Sequence, residues 1–238
     1  MNKNVVILAA GLGTRLGRPL PKPLARLADG RSILRHQLDH VRGTYGPEAH
    51  VSVVVGYKLE LVMEAAAGDA AFVYNEIYDQ TNTAKSLLKA LRLAPPGGVL
   101  WLNGDVVFTP GLLAALPLTG TFVAVNTARV GAEEVAYRVD GDGRITELSK
   151  NLVGGAGEAV GINFVAARDR ATLVAHLERC ADTDYFERAI ETAITDDDLR
   201  VATVDVSAFG CVEVDCEEDL ARANAECAFA QADAECAA

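Results

Sequence analysis

The sequence predicts an α/β fold, in which a mostly parallel mixed sheet is flanked by helices. Short apolar, β-branched segments, such as residues 5–8 and 99–102, alternate along the chain with amphipathic segments, such as residues 82–93. Half of the 238 residues are hydrophobic, which is enough for one large core. We therefore expect a single domain over residues 1–238, with a first half to about residue 120 and a second half from about residue 121.

The first half of the chain alternates regularly between the two types of element. Strands are predicted where apolar residues run continuously, at residues 5–8, 50–55, 71–74 and 99–102. Helices are predicted where apolar residues recur on one face, at residues 33–41, 58–67 and 82–93. Ser32 is the predicted N-cap of the first helix, and the prolines and glycines of residues 95–98 end the third.

The second half begins with a hairpin signal. A turn of sequence Asp-Gly-Asp-Gly at residues 140–143 separates two short apolar segments, residues 135–139 and 144–148, which is typical of a β-hairpin. We expect this hairpin to lie over the mouth of the sheet as a small lid. Further strands are predicted at residues 158–166, 200–206 and 211–214, and further helices at residues 168–179, 185–194 and from residue 217 onward.

The net charge of the chain limits the kinds of partner that it can bind. The formal net charge is −11 and the isoelectric point is about 4.8, which disfavours binding to nucleic acid or to an anionic membrane. No apolar segment reaches the length of a membrane span and the amino terminus lacks a signal-peptide pattern, so we expect a cytoplasmic protein, monomeric or homodimeric. The five cysteines form no Cys-x-x-Cys pair and no histidine lies near them at zinc-ligand spacing, so we expect reduced thiols.

A glycine-rich loop follows the first strand and predicts a polyphosphate site. Gly11 and Gly13 allow backbone N–H groups to approach an anion closely, and Arg15 and Lys22 add positive charge nearby. A dinucleotide-binding fingerprint is excluded, because Leu16 stands where its third glycine is required. The Gly-Lys-Ser/Thr ending of a P-loop is also missing from this segment. A glycine turn that binds no ligand is the alternative interpretation.

The loop sequence Gly-x-Gly-Thr-Arg, followed by Pro-Lys at residues 21–22, resembles the signature of the sugar-phosphate nucleotidylyltransferases. The resemblance implies a Rossmann-like sheet, triphosphate binding by the loop, and Arg15 and Lys22 as catalytic residues that stabilise charge. Lys150 is placed like a second catalytic lysine of that family, which contacts the acceptor phosphate; an exposed surface lysine is the alternative. The nucleotide-binding residues implied in this way are Leu8, Ala9, Ala10, Gly11, Gly13, Thr14, Gly56, Tyr57, Thr81, Asn82, Ser86 and Asp105.

Acidic residues at two strand ends predict a divalent metal site. Asp105 follows the strand at residues 99–102 and should lie at the carboxyl edge, where open α/β sheets bind ligands. Glu213 and Asp215 alternate along a later strand and therefore share one face. Carboxylate oxygens suit Mg²⁺, with Mn²⁺ as a substitute, and in the resembled family a Gly-Asp pair and a late aspartate hold the metal jointly. We therefore predict Asp105, Asp215 and Glu213 as metal ligands; turn capping is the alternative for a single aspartate.

Residues 74–87, of sequence Tyr-Asn-Glu-Ile-Tyr-Asp-Gln-Thr-Asn-Thr-Ala-Lys-Ser-Leu, resemble a segment of bacterial choline-phosphate cytidylyltransferases and of relatives that activate small phosphonates. The resemblance implies CTP as the nucleotide, bound by the first half of the chain. It implies an acceptor resembling phosphocholine, aminoethylphosphonate or hydroxyethylphosphonate, bound by the second half. Candidate acceptor-binding residues there are Tyr137, Asn163, Tyr185 and Glu187. A sugar-1-phosphate nucleotidylyltransferase that uses UTP or dTTP, and a nucleotide-sensing domain without catalysis, are the alternatives.

Overall fold

The computed structural model describes residues 3–13, 19–128 and 135–236, with side chains described as far as residue 228. The strands are β1 (Asn4–Ala9), β2 (His50–Val55), β3 (Ala71–Tyr74), β4 (Val99–Asn103), β5 (Val106–Val107), β6 (Phe122–Asn126), β7 (Ala136–Val139), β8 (Ile145–Ser149), β9 (Glu158–Val165), β10 (Ala202–Asp205) and β11 (Val212–Glu213). The helices are α1 (Ile33–Tyr45), α2 (Leu59–Ala65), α3 (Thr83–Leu93), α4 (Leu112–Ala115), α5 (Arg170–Arg179), α6 (Phe186–Asp197) and α7 (Glu217–Cys236).

One main sheet joins strands from both halves of the chain. Its strand order is β10-β6-β9-β4-β1-β2-β3, with β7 and β8 attached beside β9. β1 pairs in parallel with β2 and β4, and β2 pairs in parallel with β3. β9 runs antiparallel between β4 and β6. The predicted α/β fold, with a mixed and mostly parallel sheet flanked by helices, is confirmed.

Helices cover both faces of the sheet, which explains the continuous apolar runs of the central strands. Leu87 of α3, Leu177 of α5 and Phe186 of α6 pack with Trp101 on one face. On the other face Leu38 of α1 packs with residues of α2 and α4. Since β1, β2, β3 and β4 are parallel, their carboxyl ends meet at one edge, and the segments that follow them converge there.

The predicted hairpin forms, but it does not lie over the mouth of the sheet. β7 and β8 pair around the turn at residues 140–143, and Tyr137 and Leu148 are buried in the core. Next to the tip, Arg144 forms a bridge with Ala202, at the start of β10. Because β10 runs parallel to β6, and β6 runs in the same direction as β4 and β1, this tip lies at the edge opposite the carboxyl ends. The expected lid is therefore a core hairpin.

Among the strands and α-helices of the described residues, three were not predicted from periodicity: β5, β6 and α4. β5 and α4 have only two and four residues, which is too short for a period to show. β6 is a five-residue apolar run, and such a run does not by itself distinguish strand from helix. The four cysteines among the described side chains are free thiols. Within the described residues, no helix has the length and apolar character needed to cross a membrane.

Candidate active site

A cleft opens at the carboxyl edge of the parallel strands and holds most of the predicted site residues. It encloses about 1100 Å³, including the open solvent at its mouth. The predicted residues that line it are Leu8, Ala9, Ala10, Gly11, Gly13, Lys22, Thr81, Asn82, Ser86, Asp105, Lys150, Tyr185, Glu187, Glu213 and Asp215. The predicted residues Thr14 and Arg15 lie outside the described part of the chain. The topology therefore brings residues from both halves of the sequence to one place.

The glycine loop lies against Lys22, the first residue of a 3₁₀ turn that ends at Leu24. Gly13 has a φ of +61°, and a Cβ at this position would lie 2.8 Å from Lys22 Cγ. Both features require glycine, because an L-residue rarely adopts this φ and has no room here for its side chain. The loop therefore passes closely over the lysine and leaves its backbone exposed to the cleft.

Gly56 and Tyr57, two predicted nucleotide-binding residues, do not line the cleft. The backbone N–H of Tyr57 donates to the carbonyl of Ala10 at 3.0 Å and so fixes the end of β1. A Cβ on Gly56 would lie 2.6 Å from Cβ of Tyr78, a residue that does line the cleft. The structure thus places both residues one layer behind the wall, where they hold Ala10 and Tyr78 in position.

Lys22 lies between two carboxylates that come from distant parts of the chain. Its Nζ is 3.1 Å from Asp105 Oδ2 and also forms an ion pair with Asp215 Oδ1. The two aspartates meet because β11 pairs antiparallel with β5, and Val214 N donates to Asp105 O at 2.9 Å. Residues more than one hundred positions apart are thereby held against one cation.

The environment of this triad shifts the pKa of both Lys22 and Asp105. Burial lowers the pKa of Lys22, but the attraction of Asp105 and the hydrogen bond with Asp215 outweigh burial and raise it above 10.5. Burial raises the pKa of the Asp105 carboxyl, although Lys22 acts in the opposite direction. Lys22 is therefore a cation at neutral pH, and it neutralises a site that is costly to leave negatively charged.

Neighbouring side chains fix the segments that carry the two aspartates. The buried Gln37 amide donates to the carbonyls of Asn103 and Val106, at 2.8 and 2.7 Å, on either side of Asp105. Asp219 Oδ2 accepts from the backbone N–H groups of Asp215 and Cys216, both at 3.1 Å, at the start of α7. These bonds satisfy backbone groups that would otherwise be unpaired in the turns.

The donor set around Lys22 fits a hard divalent cation. Asp105 and Asp215 already direct oxygens at a single cation, and Asn103 Oδ1 is buried nearby without a hydrogen-bond partner. Glu213 Oε1 lies 3.5 Å from Asn103 Nδ2. Mg²⁺ prefers such oxygens and is usually bound by one or two carboxylates together with substrate phosphates. Within the described residues, however, no three His, Cys, Asp or Glu side chains are already arranged as a metal site.

The predicted acceptor residues divide between the cleft and the core. Lys150 Nζ lies 4.8 Å from the centre of the Tyr185 ring, which is a cation–π contact at the cleft wall. Tyr137 and Asn163 are 3% and 1% exposed and do not line the cleft. Both lie on strands of the main sheet, on the face covered by α3, α5 and α6, so the prediction that they face the acceptor does not match their placement.

Glu187 combines burial with a missing partner. Its Oε2 atom is buried and makes no hydrogen bond. Burial raises the pKa of this carboxyl to about 7, and a backbone hydrogen bond and the nearby Lys150 only partly offset the rise. At neutral pH the Glu187 carboxyl therefore exists in both protonation states. In either state Oε2 needs a hydrogen-bond partner, which a ligand could supply.

The cleft also contains residues that sequence reasoning missed: Pro23, Tyr78, Thr83, Asn103, Gly104, Val135, Ala159, Gly161 and Phe186. Asn103 and Gly104 directly precede Asp105, so their position at the end of a predicted strand could have predicted that they line the cleft. Ala159 and Gly161 reach the cleft only because β9 runs antiparallel to β4 and starts at the carboxyl edge. Nothing in the local sequence shows this direction.

The comparison with known protein families agrees with this geometry. The sequence model of the MobA-like NTP transferase domain matches residues 5–180, which is more than half of the chain. The chain belongs to this family. The predicted membership of a nucleotidyltransferase family is thereby confirmed. The matched residues include the glycine loop and Asp105 and end before Asp215.

Two curated relatives of this NTP transferase domain carry different names. CMP-5'-(3-aminopropyl)phosphonate synthase of Streptomyces rubellomurinus is 40% identical over 153 residues, covering 60% of this chain and 24% of that protein. The bifunctional protein GlmU of Paraburkholderia xenovorans is 44% identical over 116 residues, covering 48% of this chain and 24% of that protein. The matches therefore span about a quarter of the length of these relatives.

A solved structure shows the same fold over nearly the whole chain. CTP:phosphocholine cytidylyltransferase from Streptococcus pneumoniae aligns with a TM-score of 0.72 over 94% of this chain and 99% of that chain. The sequence identity is 18%, so this likeness shows the shared fold and nothing about the substrate. The NTP transferase domain thus has a known architecture, and its substrates must be argued from its own cleft.

Proposed function

We propose that this domain transfers CMP from CTP to a small phosphonate or phosphate that carries a positively charged amine, and releases pyrophosphate. The observation that carries this choice of acceptor is Glu187 Oε2, buried in the cleft without a hydrogen-bond partner. Burying a polar group without a partner is costly, and the N–H groups of an acceptor ammonium would supply one. The face of Tyr185, which Lys150 already contacts, offers a second cation-binding element.

The phosphonate relative supports the same assignment. Its name describes a CMP derivative of an aminopropyl phosphonate, and it matches 60% of this chain at 40% identity. An amine and a phosphonate on one small molecule need an anionic and a cationic partner, and the cleft presents both Glu187 and Lys150. Hydroxyethylphosphonate would satisfy only the cationic partner, which makes it the informative comparison substrate.

In the proposed reaction the protein positions the two substrates and neutralises the charge on their phosphates. An acceptor oxygen attacks the α-phosphorus of CTP, the bond to pyrophosphate breaks, and no covalent intermediate with the protein is required. Lys22 would stabilise charge on the α-phosphate, and the loop N–H groups of Gly11 and Gly13 would hold the triphosphate. Arg15 is proposed to stabilise the departing pyrophosphate, and Lys150 to bind the acceptor phosphonate.

Asp105 and Asp215 are the proposed ligands of Mg²⁺ or Mn²⁺, with Glu213 and Asn103 beside them. The bound ion would supply Lewis-acid stabilisation of charge on the phosphates. Lys22 occupies the position between the two carboxylates. Asp105 and Asp215 would hold the ion, and the Lys22 ammonium would be the protein group that contacts a phosphate of the substrate.

A release assay for pyrophosphate tests the proposal. CTP, UTP, dTTP, ATP and GTP are each combined with aminoethylphosphonate, aminopropylphosphonate, phosphocholine, hydroxyethylphosphonate and glucose-1-phosphate, and Asp105→Asn serves as the inactive control. We expect the highest kcat/KM for CTP with an amine-bearing acceptor. Higher kcat/KM for UTP or dTTP with glucose-1-phosphate would support a sugar nucleotidyltransferase instead. Nucleotide binding without turnover of any pair would indicate a sensor domain.

A further inference from the structure

The connection between α5 and α6, residues 180–185, lies along the first turn of α3. Asn82 N donates to Asp182 O at 2.8 Å, and Ala84 N donates to Asp184 O at 3.3 Å. N–H groups at the start of a helix have no partner inside that helix, so the connection satisfies groups that would otherwise be unpaired. The first turn of α3 is thus bonded to the segment that leads into α6.

Lys85, in the same turn of α3, holds the beginning of this connection. Its Nζ donates to three backbone carbonyls at the end of α5, at 3.4, 3.3 and 2.6 Å: those of Leu177, Glu178 and Cys180. An ammonium group has three N–H donors, so these carbonyls use all of them. The carbonyls at a helix end lack partners inside the helix, and the helix dipole also favours a cation there. Lys85 itself does not line the cleft.

Thr83 holds the other end of the connection, where α6 begins. The backbone N–H of Phe186, the first residue of α6, donates to Thr83 Oγ1 at 3.1 Å. Tyr185 stands at the N-cap position of α6, and its side chain makes no capping hydrogen bond in the part of the chain that the structure describes. A threonine hydroxyl is a common cap of a helix start, and here it comes from α3 instead. The Tyr185 ring is left to line the cleft beside Lys150.

The position of the Glu187 carboxyl depends on where α6 begins. Glu187 directly follows Phe186, and its carboxyl accepts a hydrogen bond from the backbone N–H of Glu187 itself. Phe186 is 1% exposed, and its ring packs edge-on against Trp101 at a centroid distance of 5.5 Å. A shift of the first turn of α6 would therefore move the carboxyl within the cleft. Thr83 and Lys85 supply the bonds that oppose such a shift.

We propose that Thr83 and Lys85 are positioning residues for the acceptor, which fix the start of α6 so that Glu187 and Tyr185 meet the acceptor ammonium. This inference rests on the proposed use of an amine-bearing acceptor. Lys85 acts entirely from behind the cleft wall, since it binds the backbone of α5 and does not reach the cleft. The helix that carries the predicted nucleotide-binding residues thereby also sets the acceptor half of the site.

Thr83→Val and Thr83→Ser test the cap on α6. Valine has nearly the shape of threonine without the hydroxyl, whereas serine keeps the hydroxyl. With saturating CTP, Thr83→Val should raise the KM for aminoethylphosphonate about 3- to 10-fold, which is the usual effect of one lost hydrogen bond, and should change kcat less. The KM for hydroxyethylphosphonate, which has no ammonium to bind Glu187, should stay at the wild-type value. Thr83→Ser should restore the KM for aminoethylphosphonate.

Lys85→Met tests the same positioning from outside the cleft. Methionine keeps most of the length of the side chain and removes all three donors. This variant should raise the KM for aminoethylphosphonate and leave that for hydroxyethylphosphonate unchanged, as Thr83→Val does. Lys89→Met is the matched control, because Lys89 lies one turn further along α3 and pairs with the exposed Glu76 instead of α5. The control should leave both KM values unchanged.

The ratio of the two KM values decides the outcome. An unchanged ratio in folded Thr83→Val and Lys85→Met would overturn the inference. An equal rise of both KM values would also overturn it, since ammonium binding would then not be the property that was lost. If one variant does not fold, the other decides. If the wild type itself does not favour aminoethylphosphonate over hydroxyethylphosphonate, the proposed function is wrong and the inference falls with it; a wild-type preference that persists in both variants contradicts the inference alone.

Discussion

Replacing Lys22 by methionine removes the cation between two carboxylates and keeps most of the length of the side chain. The remaining Asp105 and Asp215 would then face each other in a partly buried site without the Lys22 ammonium between them. Lys22 has a raised pKa, so its contribution to stability is present at every pH below its ordinary 10.5 and is lost only as the pH rises through the value in the folded protein. The loss in the variant is therefore fully developed at pH 7.

The magnitude follows from the burial of the three side chains. Removing one partner of a buried ion pair costs about 3–5 kcal/mol. The side chains of Lys22, Asp105 and Asp215 are 12%, 18% and 33% exposed, so water screens the site in part. We therefore expect a loss of about 2–3 kcal/mol in the free energy of unfolding. For a chain of this size, such a loss lowers the Tm by roughly 5–10 °C.

Thermal unfolding at pH 7, with and without millimolar Mg²⁺, measures this loss. Mg²⁺ should raise the Tm of Lys22→Met more than that of the wild type, because the variant lacks the Lys22 ammonium that competes with Mg²⁺ for the two carboxylates. Lys89→Met is the matched control, since it removes a lysine whose carboxylate partner, Glu76, is exposed. A Tm of Lys22→Met equal to that of this control, or an equal response of wild type and variant to Mg²⁺, would refute the reasoning. The kcat should fall by about 10²- to 10³-fold, as for other lost preorganised charges.

Four further outcomes follow from the same site. Asp105→Asn and Asp215→Asn should each lower kcat by about 10²- to 10³-fold in a pyrophosphate-release assay, and full wild-type turnover in excess chelator would contradict the metal assignment. The KM for an amine-bearing acceptor should fall as the pH rises from 6 to 8, because the Glu187 carboxyl must ionise to bind the ammonium and burial raises its pKa to about 7. The Glu187→Gln variant should lose this pH dependence. With hydroxyethylphosphonate as the acceptor, even the wild type should not show it. The same raised pKa favours the protonated form of Glu187 in the folded state. The free energy of unfolding should therefore decrease as the pH rises from 4.5 towards 7. In thermal unfolding, Glu187→Gln should remove this dependence of the Tm on pH. Gln37→Leu should cost about 2–4 kcal/mol, because it leaves two buried carbonyls beside Asp105 unpaired, and an unchanged Tm would show that those bonds do not support the site.

Local chemistry in the sequence was sufficient for most of the elements. The strands His50–Val55 and Ala71–Tyr74 have the predicted bounds, and the helix Thr83–Leu93 begins within one residue of the predicted start. This agreement is possible because the apolar periods and the flanking turn residues lie within a few positions of each element. The glycine loop is equally local, since the need for a left-handed residue at Gly13 and the cation at Lys22 are separated by only nine positions. These features could be predicted because the interactions that decide them are short-range.

Pairing between strands far apart in the sequence decided how the predicted site residues are arranged. Asp105 and Asp215 were both predicted, but only the antiparallel pairing of β5 with β11 shows that they share one lysine. The hairpin was predicted, but its direction away from the cleft depends on the bridge between Arg144 and Ala202, which the local pattern does not encode.

The placement of polar residues on buried strands shows the same limit. Asn163 and Tyr137 have side chains suited to binding, and the tertiary fold buries both in the core. Conversely, Asn75 lies in a recognisable segment, but only the folded chain brings its amide against the hydroxyls of Thr81 and Ser86. The sequence by itself determined the kinds of residue available and the elements that carry them. Only the tertiary structure decided which of them meet, because strand order, strand direction and the polarity of hydrogen bonds are set by contacts between residues far apart in the chain.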